Sequence, residues 1–196
     1  MNKKNHEVEL RVLLDPEERK SINRYFADNR TEFVSKQMIR DAYYCDKDAK
    51  DFGDVEMNEV GSFGLRLREK VIDGKKDIEL NIKVITSHGD HHAWEEHETK
   101  VDSFAETDEI LKALGHKVFF ELKKVRSLYK VDNIEIALED IEDFGSALEL
   151  EIITTKDDAD VAKQTLEKLL NTMGVESHKI VPKSITNILM KQKSRF

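Results

Sequence analysis

The chain contains few of the residues that cross-link a fold, interrupt it or anchor it in a bilayer. Its 196 residues include 1 cysteine, 2 prolines and 8 glycines. Because Cys45 has no second cysteine to pair with, an intrachain disulfide is excluded and a reducing compartment is the simplest setting. No apolar run approaches the roughly 20 residues that span a bilayer, and Met1–His6 lacks the apolar core of a signal peptide. These absences predict a cytoplasmic protein that does not associate with membranes.

Charged residues, in contrast, are abundant. The chain has 40 acidic and 32 basic residues, which gives a formal net charge of -8. This surplus of negative charge argues against DNA as a partner, although a local cluster of cations could still bind a small anion. The hydrophobic share of 39% is enough for a core, and a single domain over residues 1–196 is the expectation. A homodimer is the default assembly, because symmetric dimers are the commonest oligomers.

Seven short segments carry charged or polar residues two positions apart. Side chains on a strand alternate between its two faces, so the charges of each segment share one face. The segments are Glu7/Glu9/Arg11, Arg66/Arg68, Glu79/Asn81/Lys83, Glu96/Glu98, Lys124/Arg126, Glu149/Glu151 and, four positions apart with Ala137 between them, Glu135/Glu139.

Four of these strands have a plainly apolar opposite face, which consists of Val8/Leu10/Val12, Ile78/Leu80/Ile82/Val84, Ile134/Ile136/Leu138 and Leu148/Leu150/Ile152. Amphipathic helices lie between and after the strands. One helix starts at Asp15-Pro16, with Ile22 and Phe26 facing inward. Two further helices have predicted apolar stripes at Ile110/Leu111/Leu114 and at Val161/Thr165/Leu166/Leu169/Leu170. The pattern predicts an α+β fold in which an antiparallel β-barrel, open or closed, with a charged, water-filled interior is surrounded by these helices.

The charged faces of these predicted strands carry both acidic and basic residues. Carboxylates hold divalent metal ions, whereas Lys and Arg hold phosphates, so the combination suits a metal ion together with a polyanion. The alternative is a solvent-facing sheet with ordinary cross-strand ion pairs.

The same segments resemble, in order, the motifs of the CYTH superfamily, the triphosphate tunnel metalloenzymes. This family includes class IV adenylyl cyclases, thiamine triphosphatases and inorganic triphosphatases. The resemblance covers about residues 6 to 190 and departs from the family pattern at Arg11, Trp94 and Glu139, where Lys, Arg and Asp are usual. The matching motifs are ExExK at Glu7–Arg11, DxYYD at Asp41–Asp46 with one insertion, LRxR at Leu65–Arg68, the lysine Lys83, ExE at Glu96–Glu98, KxRxxY at Lys124–Tyr129 and the closing segment Leu138–Glu151.

The resemblance implies a tunnel that binds a triphosphate and one or two Mg²⁺ or Mn²⁺ ions. The implied phosphate-binding residues are Arg11, Arg66, Arg68, Lys83, Lys124 and Arg126. The implied metal ligands are Glu7, Glu9, Glu149 and Glu151, followed by Glu96, Glu98 and Glu139. No side chain is identified as the nucleophile.

Three functions remain open at this stage. A triphosphatase would use a metal-activated water on inorganic triphosphate, thiamine triphosphate or a nucleoside triphosphate. A class IV adenylyl cyclase would use the ribose 3′-hydroxyl of ATP and release cyclic AMP and pyrophosphate. A non-catalytic protein could bind polyphosphate or a nucleotide in the same tunnel. Hydrolysis is favoured because it requires only a positioned water.

Overall fold

The computed structural model describes residues 6–29, 31–86, 94–181, 184–194 and 196. The strands are β1 (His6–Leu14), β2 (Glu32–Asp46), β3 (Phe63–Ile72), β4 (Lys75–Ile85), β5 (Trp94–Lys100), β6 (His116–Val131), β7 (Ile134–Ile141) and β8 (Gly145–Thr154). The α-helices are α1 (Pro16–Asp28), α2 (Phe104–Ala113), α3 (Ala159–Thr172) and α4 (Ile185–Lys193).

The strands form one sheet in the order β1-β8-β7-β6-β2-β3-β4-β5. Strand β8 pairs antiparallel with β1 and β7, β7 with β6, and β4 with β3 and β5. The predicted α+β fold on an antiparallel sheet is therefore confirmed, while closure into a barrel stays a prediction.

The chain divides into two compact units. The first unit comprises Met1–Gln37 and Lys124–Thr186, and the second comprises Met38–Lys123 and Asn187–Phe196. The prediction of a single domain stays a prediction.

The core of the first unit lies between the apolar face of its strands and helices α1 and α3. The predicted apolar residues of β1, β7 and β8 are buried there with those of the two helices. The buried set comprises Leu10, Val12, Ile22, Phe26, Ile134, Ile136, Leu138, Leu148, Leu150, Ile152, Ala162, Leu166, Leu170, Met173 and Val175. Because apolar side chains alternate along each strand, this core leaves the intervening charged residues on the other face.

Helix α1 begins as its sequence predicts. The Asp15 side chain accepts hydrogen bonds from the backbone N–H groups of Glu17 and Glu18, and the Glu18 carboxylate accepts from the Asp15 N–H in return. The Lys179 ammonium group contacts both Asp15 and Glu18, at 3.2 and 2.6 Å. Close by in sequence, the Val181 N–H donates to the Arg11 carbonyl, and Ile180 bridges to Val12. The segment after α3 is thus fixed to β1 and to the start of α1.

The apolar stripe predicted for α3 is partly wrong. Val161 and Thr165 are exposed, whereas Ala162, Leu166 and Leu170 are buried. Residues four apart lie on one face of a helix, so the buried row that contains Leu166 and Leu170 begins at Ala162. Val161 precedes that row by one position and is turned away by about 100°.

The second unit has its own core, formed by β2, β3, β4 and α2. It contains Ala42, Tyr44, Leu65, Leu67, Ile78 and Leu111. The stripe predicted for α2 is wrong at two positions, since Ile110 and Leu114 are 58% and 70% exposed. Thr107 and Leu111 are the buried residues of this helix, one turn apart, and they define its inner face.

None of the helices in the described residues has the length and apolar character needed to cross a membrane.

Substitution of Gly174 tests the turn that ends α3. Gly174 has a φ of 85°, and an added Cβ would lie 2.6 Å from Ser21 Oγ, which donates to the Met173 carbonyl. The left-handed conformation alone costs an L-residue about 1–2 kcal/mol. We expect Gly174→Ala to lower the denaturation midpoint by more than Gly74→Ala. Gly74 is the matched control because its φ is 76° and, its chain neighbours aside, no atom of the described residues lies within 4 Å of its added Cβ. Equal losses would show that the Ser21 contact contributes nothing.

Candidate functional site

In the first unit, the sheet register brings together acidic residues from three strands. Glu9 on β1 lies opposite Glu151 on β8, and Glu151 lies opposite Glu135 on β7. We call Glu9, Glu151 and Glu135 the carboxylate row. Like charges directly opposite one another destabilise a sheet, so this row is unfavourable without a cation.

Two residues of the carboxylate row, Glu151 and Glu9, have a raised pKa. Burial, followed by the charges of Glu7, Glu135, Glu9 and Glu149, raises the pKa of Glu151 to about 7. Burial also raises the pKa of Glu9, although the neighbouring Arg11 partly opposes this. A carboxylate that holds its proton near neutral pH is a site where a metal cation would relieve repulsion.

Next to the row, acids and bases alternate in a continuous series of ion pairs. Arg11 contacts Glu9, and its Nε donates to Glu149 at 3.2 Å. Arg126 Nη2 reaches Glu149 at 3.4 Å. At the other end of the series, Glu139 Oε1 accepts from Arg126 Nε and from Lys124 Nζ, both at 2.6 Å.

Glu139 is the buried anchor of this series. Its side chain is 2% exposed and that of Lys124 is 5% exposed. Burial by itself would raise the pKa of Glu139, but the charges of Lys124 and Arg126 hold it below its ordinary value. Glu139 thus fixes two of the predicted phosphate-binding cations in place. Its predicted role as a metal ligand stays a prediction.

The second unit carries a comparable charged face on β3, β4 and β5. Asn81 Nδ2 donates to Glu96 Oε1 at 2.5 Å, and Lys83 Nζ lies 3.1 Å from Glu96 Oε2. Burial opposes ionisation of Glu96, yet the contacts with Asn81 and Lys83 lower its pKa. Glu98, opposite Asn81, is exposed.

The two arginines of β3 differ in their partners. Asp41 accepts from Arg68 Nε and Nη2 at 2.6 and 2.7 Å, which pairs the two groups through two parallel hydrogen bonds. Arg66, two residues earlier, has a buried Nε without a hydrogen-bond partner among the described residues. A buried donor without a partner costs about 1–3 kcal/mol, and an anionic ligand would satisfy it.

The predicted site residues therefore divide between the two units. The first unit brings together Glu7, Glu9, Arg11, Lys124, Arg126, Glu139, Glu149 and Glu151. The second brings together Arg66, Arg68, Lys83, Glu96 and Glu98. The water-filled tunnel that would unite them stays a prediction.

Four polar residues of these faces were not predicted as site residues. Asp41, Glu79 and Asn81 are buried, and Glu135 completes the carboxylate row. Each of them belongs to a segment already singled out in the sequence, so their position on the charged face could have been found. Their pairing could not, because it depends on strand register.

The donor set fits a hard divalent cation. Carboxylate oxygen is the ligand that Mg²⁺ and Mn²⁺ prefer, and Mg²⁺ typically uses one or two carboxylates plus waters. Among the described residues, no three His, Cys, Asp or Glu side chains are already gathered as a ligand set. The fit therefore rests on the repulsion within the carboxylate row and on the raised pKa of Glu151.

Comparison with known proteins identifies the family. The model of the CYTH domain matches residues 5–185, and the chain belongs to this family. A Methanocaldococcus jannaschii protein named "Putative adenylate cyclase" is 26% identical over 179 residues, which are 91% of this chain and 95% of the relative.

Solved structures support the same fold. A Pyrococcus horikoshii protein of 26% identity matches with a TM-score of 0.71 over 96% of this chain and 100% of its own. A Hippeastrum protein of 18% identity, described as "Putative adenylyl cyclase" with "a dominant triphosphatase activity", matches with a TM-score of 0.65 over 96% of each chain.

The raised pKa of Glu151 predicts a specific pH dependence of stability. The folded protein binds this proton more tightly than the unfolded chain, in which the pKa is near 4.5. The resulting stability is fully present below about pH 4.5 and is lost as the pH rises through about 7. In chelator, the thermal midpoint should fall less between about pH 5 and about pH 8 in Glu151→Gln than in the wild type. Glu17→Gln, on the exposed first turn of α1, is the control. Identical pH profiles in all three proteins would contradict the assignment.

Proposed function

We propose that this protein hydrolyses a triphosphate with the help of Mg²⁺ or Mn²⁺. The substrate would be inorganic triphosphate, thiamine triphosphate or a nucleoside triphosphate. One observation carries the proposal: on a single face of the first unit, the carboxylate row adjoins the ion-paired cations Arg11, Arg126 and Lys124. The carboxylate row does not require the neighbouring cations, and the cations do not require the row. A triphosphate bound together with a divalent metal ion would use both, because the carboxylates would hold the metal ion and the cations would hold the phosphates.

The cations are proposed to bind and orient the phosphate oxygens. Phosphoryl transfer requires positioning and charge neutralisation more than covalent help from the protein. Arg11 and Arg126 are held by carboxylates, so their guanidinium groups need little reorganisation when a phosphate approaches. In the second unit, Arg66, Arg68 and Lys83 are proposed as further phosphate-binding cations. The buried Nε of Arg66 supports this role because it has no partner among the described residues.

The carboxylates are proposed to hold the metal ion. Glu9 and Glu151 are the first candidates because they face each other in the register, with Glu7 and Glu149 beside them on the same strands. Glu96, Glu98 and Glu139 remain secondary candidates. When bound, the ion would neutralise phosphate charge and activate a water for attack on the terminal phosphorus.

Adenylyl cyclase activity is the second candidate function. The name of the Methanocaldococcus jannaschii relative favours it. The same cations and carboxylates would then orient the α-phosphate of ATP for attack by the ribose 3′-hydroxyl. Hydrolysis stays the first proposal because it needs no adenine-binding surface. The third candidate, a non-catalytic polyphosphate or nucleotide binder, would not require the repulsive carboxylate row.

A parallel substrate assay separates the three candidates. The protein is incubated with Mg²⁺ or Mn²⁺ and, separately, tripolyphosphate, thiamine triphosphate or ATP. We expect orthophosphate as the product from at least one of them. Cyclic AMP and pyrophosphate from ATP would establish the cyclase instead. Binding without any product would establish the non-catalytic function.

Substitution of Glu151 tests the metal site. Glu151→Gln keeps the shape of the side chain and removes its charge, so we expect metal-dependent turnover to be lost while the fold is retained. Glu149→Gln should have the same effect, although it also removes a partner of Arg11 and Arg126. Glu121→Gln, an exposed partner of Arg40, is the control. Full activity in Glu151→Gln would remove this residue from the site.

Substitution of cations tests phosphate binding. Arg66→Ala and Lys124→Ala should each raise KM for the triphosphate, because a charge-assisted hydrogen bond contributes about 1.5–3 kcal/mol. This corresponds to a factor of about 10 to 100. Arg19→Ala, which removes a pair with Asp140 outside the charged face, should leave KM unchanged. An unchanged KM in both variants would refute the phosphate-binding assignment.

A further inference from the structure

Asp41 is a buried carboxylate on β2 for which the proposed chemistry has no use. It has 0% of its surface exposed, and its two oxygens accept from two different nitrogens of Arg68. Two parallel hydrogen bonds fix the plane of a guanidinium group as well as its distance. A single hydrogen bond, or a lysine in place of the arginine, would fix only the distance.

Stability alone is a poor explanation for this pair. Removing two charges from water costs several kcal/mol per ion, and apolar residues of similar volume often replace a buried ion pair without loss. On β2, Asp41 shares its face with Ile39, which is buried, and Tyr43, which is half-buried. Its neighbours along its own strand thus do not require a carboxylate, and the charge of Asp41 is used in the contact with Arg68 on β3.

The comparison with Arg66 indicates what that task is. Arg66 and Arg68 lie two residues apart on the same face of β3, opposite Asn81 and Glu79 of β4. Asp41 holds Arg68 by two of the five N–H groups of its guanidinium, whereas the buried Nε of Arg66 has no hydrogen-bond partner within the part of the chain that the structure describes. The first unit contains a parallel case, in which buried Glu139 holds Lys124 and Arg126.

We infer that Asp41 is a positioning residue that holds the Arg68 guanidinium in the orientation needed to bind a phosphate oxygen of the triphosphate. The inference rests on the proposed phosphate-binding role of Arg68. Asp41 does not contact the phosphate itself. It lowers the cost of binding, because a side chain that is already ordered loses less conformational freedom when the ligand arrives.

A double-mutant cycle on tripolyphosphate binding tests this inference. Dissociation constants are measured by calorimetry in the presence of Mg²⁺ for the wild type, Asp41→Asn, Arg68→Gln and the double variant. We expect each single variant to bind about tenfold more weakly, and the double variant to bind no more weakly than Arg68→Gln alone. A second binding measurement uses Arg68→Lys, which keeps the charge but cannot form the two-pronged pair. It should lose nearly as much affinity as Arg68→Gln.

Asp140→Asn provides the matched control. Asp140 also accepts two hydrogen bonds from one arginine, at 3.1 and 3.0 Å from Arg19, but this pair is exposed and lies away from the charged face. Its loss should leave tripolyphosphate binding unchanged.

The possible outcomes distinguish a failure of the phosphate-binding role of Arg68 from a failure of the positioning role of Asp41. If Arg68→Gln binds like the wild type, the proposed phosphate-binding role of Arg68 fails. If Arg68→Gln is impaired while Asp41→Asn is not, or if the two losses add in the double variant, the positioning role is overturned. If Asp41→Asn does not fold, the affinity of Arg68→Lys for tripolyphosphate tests the positioning role. Wild-type affinity in Arg68→Lys would overturn that role, because it would show that a positive charge at this position is enough for binding.

Discussion

The pairing of buried opposite charges is the constraint on which the rest of this structure depends. Lys124, Glu139 and Asp41 are almost completely enclosed by the protein, where an isolated charge would cost several kcal/mol. Each therefore has an opposite charge within hydrogen-bond distance, and the sign alternates from Lys124 through Glu139, Arg126, Glu149 and Arg11 to Glu9. The alternation ends at the carboxylate row, where three glutamates face one another. A local departure from an otherwise consistent rule is characteristic of functional sites.

The helices make this charged face possible. Leu166 and Leu170 of α3 and Ile22 of α1 are fully or almost fully buried on the apolar side of the first unit's strands. Because that side supplies the hydrophobic core, the opposite side can carry polar residues without loss of the fold. The hydrophobic core and the candidate site thus lie on different faces of the same strands, because side chains alternate along a strand.

Much of this could be predicted from the sequence, and the errors have identifiable causes. Alternation along strands correctly placed Leu148, Leu150 and Ile152 in the core and Glu149 and Glu151 opposite them. Helical periodicity was less reliable, because Ile110, Leu114 and Val161 are apolar yet exposed, and hydrophobicity alone does not say which face of a helix contacts the sheet.

Strand β2 begins at Glu32, but its first three residues are all exposed, so no alternation of burial marks the start of the strand in the sequence. The register between neighbouring strands could not be predicted from the sequence. The opposition of Glu9, Glu151 and Glu135 and the pairing of Asp41 with Arg68 follow from which residues of separate strands lie side by side, and no single segment encodes that.

The contact of Val181 and Ile180 with β1 has a consequence for behaviour in solution. A strand with unpaired backbone groups is a template for β-pairing with another molecule, and proteins often cover such strands with a loop. Val181 and Ile180 cover β1 in this way at Arg11 and Val12. At these two residues the backbone of the strand that also carries Glu7 and Glu9 is therefore less open to pairing with another molecule.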